Sequence, residues 1–314
     1  MARLIVRRLL LSVPLVFVVS VLTFALQSLT PGDAARTILG TDFDPGVYAR
    51  LRAQLGLDEP VYTQYWHWLE GVFRGSLGES LFSGQSVTSA VNARIGTTLS
   101  LVLLTVLVSG LVGVGLGIVS ALRRSGALAR TVDVLSLVGD AVPSYWMGLV
   151  LIAVFAVSWG IFPATGYVPI EQSPGDWAWS LVLPVVTLSL GAVAVIAKQT
   201  RDSMLEVLDR EFIAALRARG IPEHTIVLRH ALRSAAIPVV TILGLVFVHL
   251  LSGTVLVETV FGLPGLGGLA VQSTTQHDLP MVQGVAVYFT LIVVVVNVLI
   301  DVAYGWLNPR ARLS

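Results

Sequence analysis

The stretch EFIAALRARGIPEHTIVLRHALRSAAIP, residues 211 to 238, decides how this chain is read. It holds Arg217, Arg219, Arg229 and Arg233, Glu211 and Glu223, and His224 and His230. The chain around it is 55% hydrophobic and only 12% charged. From Glu211 to Arg219, Phe212, Ile213, Ala215 and Leu216 form the apolar side of a helix, and Arg217 and Arg219 point elsewhere. Gly220 interrupts that helix as a C-cap glycine does. Ile221-Pro222-Glu223 restarts one, with proline in its first turn and an acid near its N-terminus. Leu228, Ala231, Leu232 and Ala235 then recur at i, i+3, i+4 and i+7. The expected structure is helix, glycine break, helix, amphipathic and too polar to span a bilayer. Spacing alone leaves two seats for it, a lipid surface or a groove on a cytoplasmic partner.

The rest of the chain sets the context. A soluble domain carries roughly a quarter charged residues, about twice the fraction found here. Six segments have the length and apolarity of spanning helices: Leu9–Leu29, Thr98–Leu122, Ala141–Phe162, Trp177–Ala197, Ile237–Val257 and Met281–Ile300. The third has an alternative start near Val134. The first follows Arg3, Arg7 and Arg8, as a signal peptide would. Its 21-residue run exceeds a cleaved core and no small-x-small site follows, so it is expected to be a retained span.

Charge sets the expected orientation. The seven segments outside these spans hold three, five, three, none, seven, none and two Lys or Arg, in order. The odd segments hold 15, and the short even segments 163–176 and 258–280 hold none. The positive-inside bias then places both termini in the cytoplasm, and residues 211–238 with them. In the second span, Ser109, Gly113 and Gly117 recur every four residues, the spacing that lets helices approach closely in lipid.

Several chemistries are excluded. The chain has no cysteine, so it has no disulfide or thiolate site. Its single lysine, Lys198 in VIAKQTR, builds no P-loop. The five histidines have no zinc-protease spacing. His249 and Ser252, three apart in the fifth span, are the only hint of an intramembrane hydrolase, against a helix-packing His and a back-bonded Ser. Asp140 lies ten residues after Arg130, about 15 Å deeper along a continuous helix. A charge near the bilayer centre costs about 2.5–3.5 kcal/mol on insertion scales. Asp140 is therefore either a polar point on a pathway or helix contact, or a surface carboxylate beside a late-starting third span.

AALRARGIPEHTIVLRHALRSAAIP resembles the cytoplasmic EAA loop of ABC-importer permeases, closest to the dipeptide/oligopeptide/nickel branch. Other stretches match in order along the chain: LTPGDAA after the first span, and LGLDEPVYTQYWHWLEGVFRGSLGESLFSGQSV before the second. VPSYWMGL and WGIFPATGY bracket the third, LVETVFGLPGLGGL and DLPMVQGV precede the sixth, and NPRAR closes the chain. Three places depart from the pattern, one of them Asp140, which is not a feature of the family. Ala214-Ala215-Leu216 stands where Glu-Ala-Ala would fall, and His230–Arg233 occupies the Ile-x-Leu-Pro place.

The resemblance implies an all-α polytopic membrane protein with six transmembrane helices and the type I ABC importer permease fold, both termini cytoplasmic. It implies a first transmembrane helix at 1–30 and an external segment at 31–97, between helices 1 and 2. A permease core would occupy 98–308, with a coupling loop at 198–236 between helices 4 and 5 and an external loop at 258–280. A cytoplasmic tail would occupy 309–314. Glu211, Ala214, Ala215, Gly220, Ile221, Pro222 and His230 would form the ATPase-coupling surface. Phe261, Pro264, Gly265, Leu266 and Gly267 would belong to a loop that meets the binding protein or lids the pathway, since a simple turn needs far fewer residues. The implied partners are a second homologous permease, two ABC ATPase subunits or one fused ATPase, an extracytoplasmic solute-binding protein and membrane lipid, without nucleic acid. ATP and magnesium would bind the ATPases, leaving this chain a permease without cofactor in a bacterial inner membrane, moving peptides or similar small solutes. A stand-alone secondary transporter is the alternative. That class tends to show inverted repeats around a midplane site, and none is visible here.

Overall fold

The computed structural model describes residues 2–40, 43–123, 131, 134 and 142–307. Among the described residues the structure is helical, with one antiparallel bridge between Glu79 and Ser86. The helices are α1 (Ala2–Ser28), α2 (Ala34–Leu39), α3 (Pro45–Gln54), α4 (Val61–Phe73) and α5 (Val87–Leu122). They continue as α6 (Ser144–Ser158), α7 (Pro174–Leu208), α8 (Glu211–Ala218), α9 (Glu223–Phe261), α10 (Leu266–Thr275) and α11 (Leu279–Leu307).

Among the described residues, five helices are long and apolar enough to cross a membrane: Val6–Ser28 in α1, α5, α7, α9, and Leu279–Trp306 in α11. They contain the expected second, fourth, fifth and sixth spans and all of the first but Leu29. Of the expected third span, Ser144–Ser158 forms α6, and its last part, Ile152–Ser158, winds as a wide π-type turn. Ala141 of that span and Asp140 before it lie outside the described residues.

The chain divides into two compact units. One comprises Leu99–Leu263 and Val296–Ser314, and the other Ala2–Thr98 and Pro264–Val295. In the first, α7 is the central element: 67% of its apolar window is buried. It packs against α6 and, most extensively, against α9. The small-residue face of α5 also meets α7. A Cβ added at Gly113 would lie 2.8 Å from Ile196 Cβ, and one at Gly117 would lie 2.6 Å from Thr200 Cβ and 2.7 Å from the Ala197 carbonyl. Ser109 is fully buried on the same face. Gly148 of α6 leaves room for the Phe261 ring, and Gly244 of α9 for Ile300 of α11. The Thr241 and Tyr304 hydroxyls join α9 to α11 at 2.6 Å.

In the second unit, α1 is paired with α4. The Gln283 amide of α11 donates to the Ser20 carbonyl of α1 at 2.7 Å. Asp33 caps α2 by accepting from the Arg36 N–H at 2.8 Å, and takes a 2.7 Å bond from the Tyr48 hydroxyl. Arg52 pairs with Asp33 and with Asp58, the latter at 2.8 Å, and gives a further bond to the Leu57 carbonyl at 3.2 Å. Burial pushes the Asp33 carboxyl up. The Arg36 N–H, Tyr48 and Arg52 outweigh it and hold the carboxyl below its usual range.

The α5–α7 contact yields a test of opposite signs. Gly117→Val must push backbone apart and should lower stability by about 1–3 kcal/mol. Gly115 has nothing within 4 Å of its added Cβ. Gly115→Ala should be neutral or stabilising, since glycine in a helix interior costs about 1 kcal/mol relative to alanine. Thermal unfolding of the two variants in detergent measures both effects, and equal behaviour would refute the packing role.

Candidate functional site

The segment between α7 and α9 is built with little slack. α7 ends at Leu208, Asp209 returns its N–H to the Leu205 carbonyl, and α8 begins two residues later. Ile213 is the buried residue of α8. It enters a cluster with Ala121 of α5, Met204, Val207 and Leu208 of α7, and Ile226, Val227, Ala231 and Ala235 of α9. Leu216 and Ile221 pack at its edge. The short helix is thus clamped to three long ones through one isoleucine and its neighbours.

Gly220 closes α8 with the expected left-handed turn at φ 75°. Its N–H bonds the Arg217 carbonyl at 2.9 Å and the Ile221 N–H bonds that of Leu216 at 3.2 Å, the paired bonds of a Schellman motif. Leu216 and Ile221 supply the hydrophobic contact that accompanies this motif. An added Cβ at Gly220 meets nothing within 4 Å, so the demand for glycine is conformational, not spatial. Across the turn, Arg217 grips Glu223 by two bonds, Nη2–Oε1 at 2.6 Å and Nε–Oε2 at 3.1 Å. Those bonds raise the Arg217 pKa above its ordinary value. Both side chains are largely exposed, so the pair contributes more to register than to stability.

Two expectations need correction. The second half of the segment is not a separate surface helix: α9 runs unbroken from Glu223 to Phe261, so it is the first turns of the fifth span's helix. Only α8 is free-standing. The apolar stripe is also shifted. Ala231 and Ala235 are buried as expected, but Leu228 is 60% exposed, and Ile226 and Val227 take the inner positions. The cause is the π-type winding of Ile226–Ala231, whose wider turns shift the phase on which the i, i+3, i+4 pattern depends.

Glu211, Ala214, Ala215, Gly220 and Pro222 are exposed. Ile221 is half-buried against the cluster, and His230 half-buried in the π-type turn, its carbonyl accepting from the Ser234 hydroxyl at 3.0 Å. Two residues missed by sequence reasoning stand on the same segment, Phe212 and Leu228, both large, apolar and exposed. No sequence signal singled them out, because each also fits an inward-facing position of its helix.

The stretch after α9 is more ordered than its glycines suggest. Gly262 ends α9 in a left-handed turn, and Leu266–Thr275 folds as α10. Phe261 is buried, and its carbonyl accepts from the Gly166 N–H at 3.0 Å. Gly265, Leu266 and Gly267 are also buried, the Leu266 N–H donating to Thr98 Oγ1 at 2.8 Å, while Pro264 is exposed. Beyond α10, His277 adopts φ 56° and places Nε2 3.0 Å from the Pro31 carbonyl. Buried Asp278 accepts from the Ser80 hydroxyl and, at 3.1 Å, from the Leu81 N–H. Three separated sequence stretches, LTPGDAA, GESLFSG and QHDLP, therefore meet in one place. In α9 the Ser252 hydroxyl bonds the backbone carbonyl of His249 at 2.8 Å, the back-bonded arrangement and not a Ser–His pair.

The family model for the inner membrane component of binding-protein-dependent transport systems matches residues 113–313. That for the N-terminal region of such membrane components matches residues 1–102. The chain belongs to this family of permeases. It is an ABC importer permease, a multi-pass component of the bacterial inner membrane and not an enzyme. It is 39% identical over 312 residues, 99% of each chain, to a putative peptide transport system permease protein of Brucella abortus. A probable peptide ABC transporter permease of Sinorhizobium fredii is 38% identical over 98% of each chain. The glutathione transport system permease protein GsiC of Escherichia coli K12 is 37% identical over 98% of each. Among solved structures, a chain of the inward-facing MetNI methionine ABC transporter resembles this permease with a TM-score of 0.55 at 18% identity. The likeness covers 70% of this permease and 97% of that chain, and it concerns fold alone.

Proposed function

We propose that this permease is the translocation subunit of an ATP-driven importer for peptides or related small solutes, and that α8 is its coupling helix. The observation that carries this reading is the Gly220-closed α8 itself. It is fastened inward by Ile213 and presents Phe212, Ala214 and Ala215 outward. A helix meant only to bridge α7 and α9 has no need of a buried anchor joined to three long helices. Partner ATPases would bind ATP and magnesium, dock on this surface, and transmit their closure through Ile213 to Ala121, Met204 and Ile226. A second homologous permease would complete the pathway, and an extracytoplasmic binding protein would deliver solute to the opposite face, near Pro264. The names of the curated relatives support peptides or glutathione as the substrate class.

The same reading sets the orientation, with both termini and α8 in the cytoplasm, supported by the absence of Lys and Arg from 163–176 and 258–280. Because the chain has no cysteine, single cysteines report cleanly. Ala214→Cys should react with an impermeant maleimide only from the cytoplasmic side, and Gly175→Cys only from the other. The opposite pattern would overturn the orientation.

Gly220→Val tests coupling. Forcing a Cβ into the left-handed region costs about 1–2 kcal/mol, without touching any span. The variant should insert at normal levels. It should retain less ATPase in pull-down, or lose stimulation of ATP hydrolysis by loaded binding protein in nanodiscs. Wild-type values for both would contradict the coupling role.

A further inference from the structure

Helix α4 sorts its side chains into two arcs. Thr63, Gln64, His67, Glu70 and Gly71 share one, while Tyr62, Tyr65, Trp66, Trp68, Leu69, Val72 and Phe73 share the other. α1 covers only half of the apolar arc. The Tyr65 ring stands edge-on to Phe17 and Phe24, at centroid distances of 6.4 and 5.3 Å, and its hydroxyl lies 2.8 Å from Ser20 Oγ. Trp68 lies 5.8 Å from Tyr65 and gives its indole N–H to the Leu77 carbonyl at 3.2 Å. The other half is open: Tyr62 is 77%, Trp66 63% and Phe73 81% exposed.

The depth of the contact decides what meets that open stripe. Ser20 lies eight residues inside Ser28, the end of the apolar run of α1, or about 12 Å along the helix axis. Phe17 lies three residues deeper. Half the hydrocarbon thickness of a bilayer is about 15 Å, so the groups that α4 touches sit within the hydrocarbon. A helix lying beside them does not stand clear in water. We infer that α4 is immersed in the leaflet at the Ser28 end of α1, with Tyr62, Trp66 and Phe73 against phospholipid at the boundary of acyl chains and headgroups. Tyr and Trp concentrate at that boundary because one end of the side chain is apolar and the other wet, and the wholly apolar ring of Phe73 suits its acyl side. The polar arc suits the headgroup side: His67 Nδ1 lies 3.2 Å from Glu59 Oε2, and Glu70 pairs with Arg74 at 2.5 Å. Part of the 31–97 segment, expected to be wholly external, is thereby a membrane anchor for the rest of it. With the orientation proposed above this is the outer leaflet, but the lipid contact itself does not depend on that reading.

Nitroxide labels at Tyr62→Cys, Trp66→Cys and Phe73→Cys test the inference. The full chain, with the transport subunits that co-purify, is placed in nanodiscs of phosphatidylethanolamine and phosphatidylglycerol. The signal of the cysteine-free parent is subtracted. Leu26→Cys on α1 is the lipid control and Ser314→Cys the aqueous one. At all three α4 sites collision with oxygen should exceed collision with a water-soluble nickel chelate, as at Leu26, and the order should reverse at Ser314. Nickel above oxygen would mean an aqueous face, and low values for both would mean a protein cover. Either result overturns the proposal. Tyr62 and Phe73 are so exposed that their replacement leaves the fold intact, so they decide the matter should Trp66→Cys fail to assemble.

Discussion

Inside a bilayer no water is available to the backbone, so every N–H and C=O must find its partner within its own segment. This constraint makes the five long apolar stretches helices before any side chain is considered. It also removes the usual force that brings helices together, because lipid tails are as apolar as leucine. Contact then depends on close approach. Gly113 and Gly117 supply it where α5 meets α7, Gly148 where α6 receives Phe261, and Gly244 where α9 receives Ile300. The glycines of this chain do two different jobs. Gly113, Gly117, Gly148 and Gly244 make room within helices, and Gly220 and Gly262 turn the chain at helix ends.

The segment from Asp209 to Ala235 shows how such a framework can be given a handle. Two residues separate α7 from α8, and four, Arg219 to Pro222, separate α8 from α9. Neither connection has much freedom. α8 therefore cannot shift without moving the ends of α7 and α9, and Ile213 extends that linkage to α5 through Ala121. The Arg217–Glu223 fork bridges the Gly220 turn on its exposed side. In the proposed account this stiffness is what turns docking of an ATPase into movement of the spans.

Much of this was legible in the sequence, for reasons that differ by element. Six spans announced themselves through length and apolarity, and long helices match five of them among the described residues. The Ser109–Gly113–Gly117 face was legible because its period matches the helix. Gly220 was legible because a left-handed C-cap has a residue preference strong enough to read. The stripe on α9 was misread at Leu228 because a π-type turn changes the period, and no residue type marks such a turn. The stretch after Phe261 was read as a loop from its glycines, yet α10 forms there, stabilised by burial of Leu266 and Leu269 and by a bond to Thr98 that lies far away in sequence. The meeting of Pro31, Ser80 and Asp278 was invisible for the same reason. It depends on tertiary contact between stretches that each look like ordinary polar turns. Phe212 and Leu228 belong here too, since only packing shows which apolar residues face outward.

The central claim is that the outward surface of α8 and of the first turns of α9 belongs to an ATPase. Site-specific photo-crosslinking from Phe212 and from Leu228, in membranes containing the assembled transporter, tests it directly. The account predicts ultraviolet-dependent adducts between this permease and an ATPase subunit from both positions, and none from Leu26 on α1. Adducts to phospholipid alone at Phe212 and Leu228 would contradict it and make the segment a lipid-surface element instead.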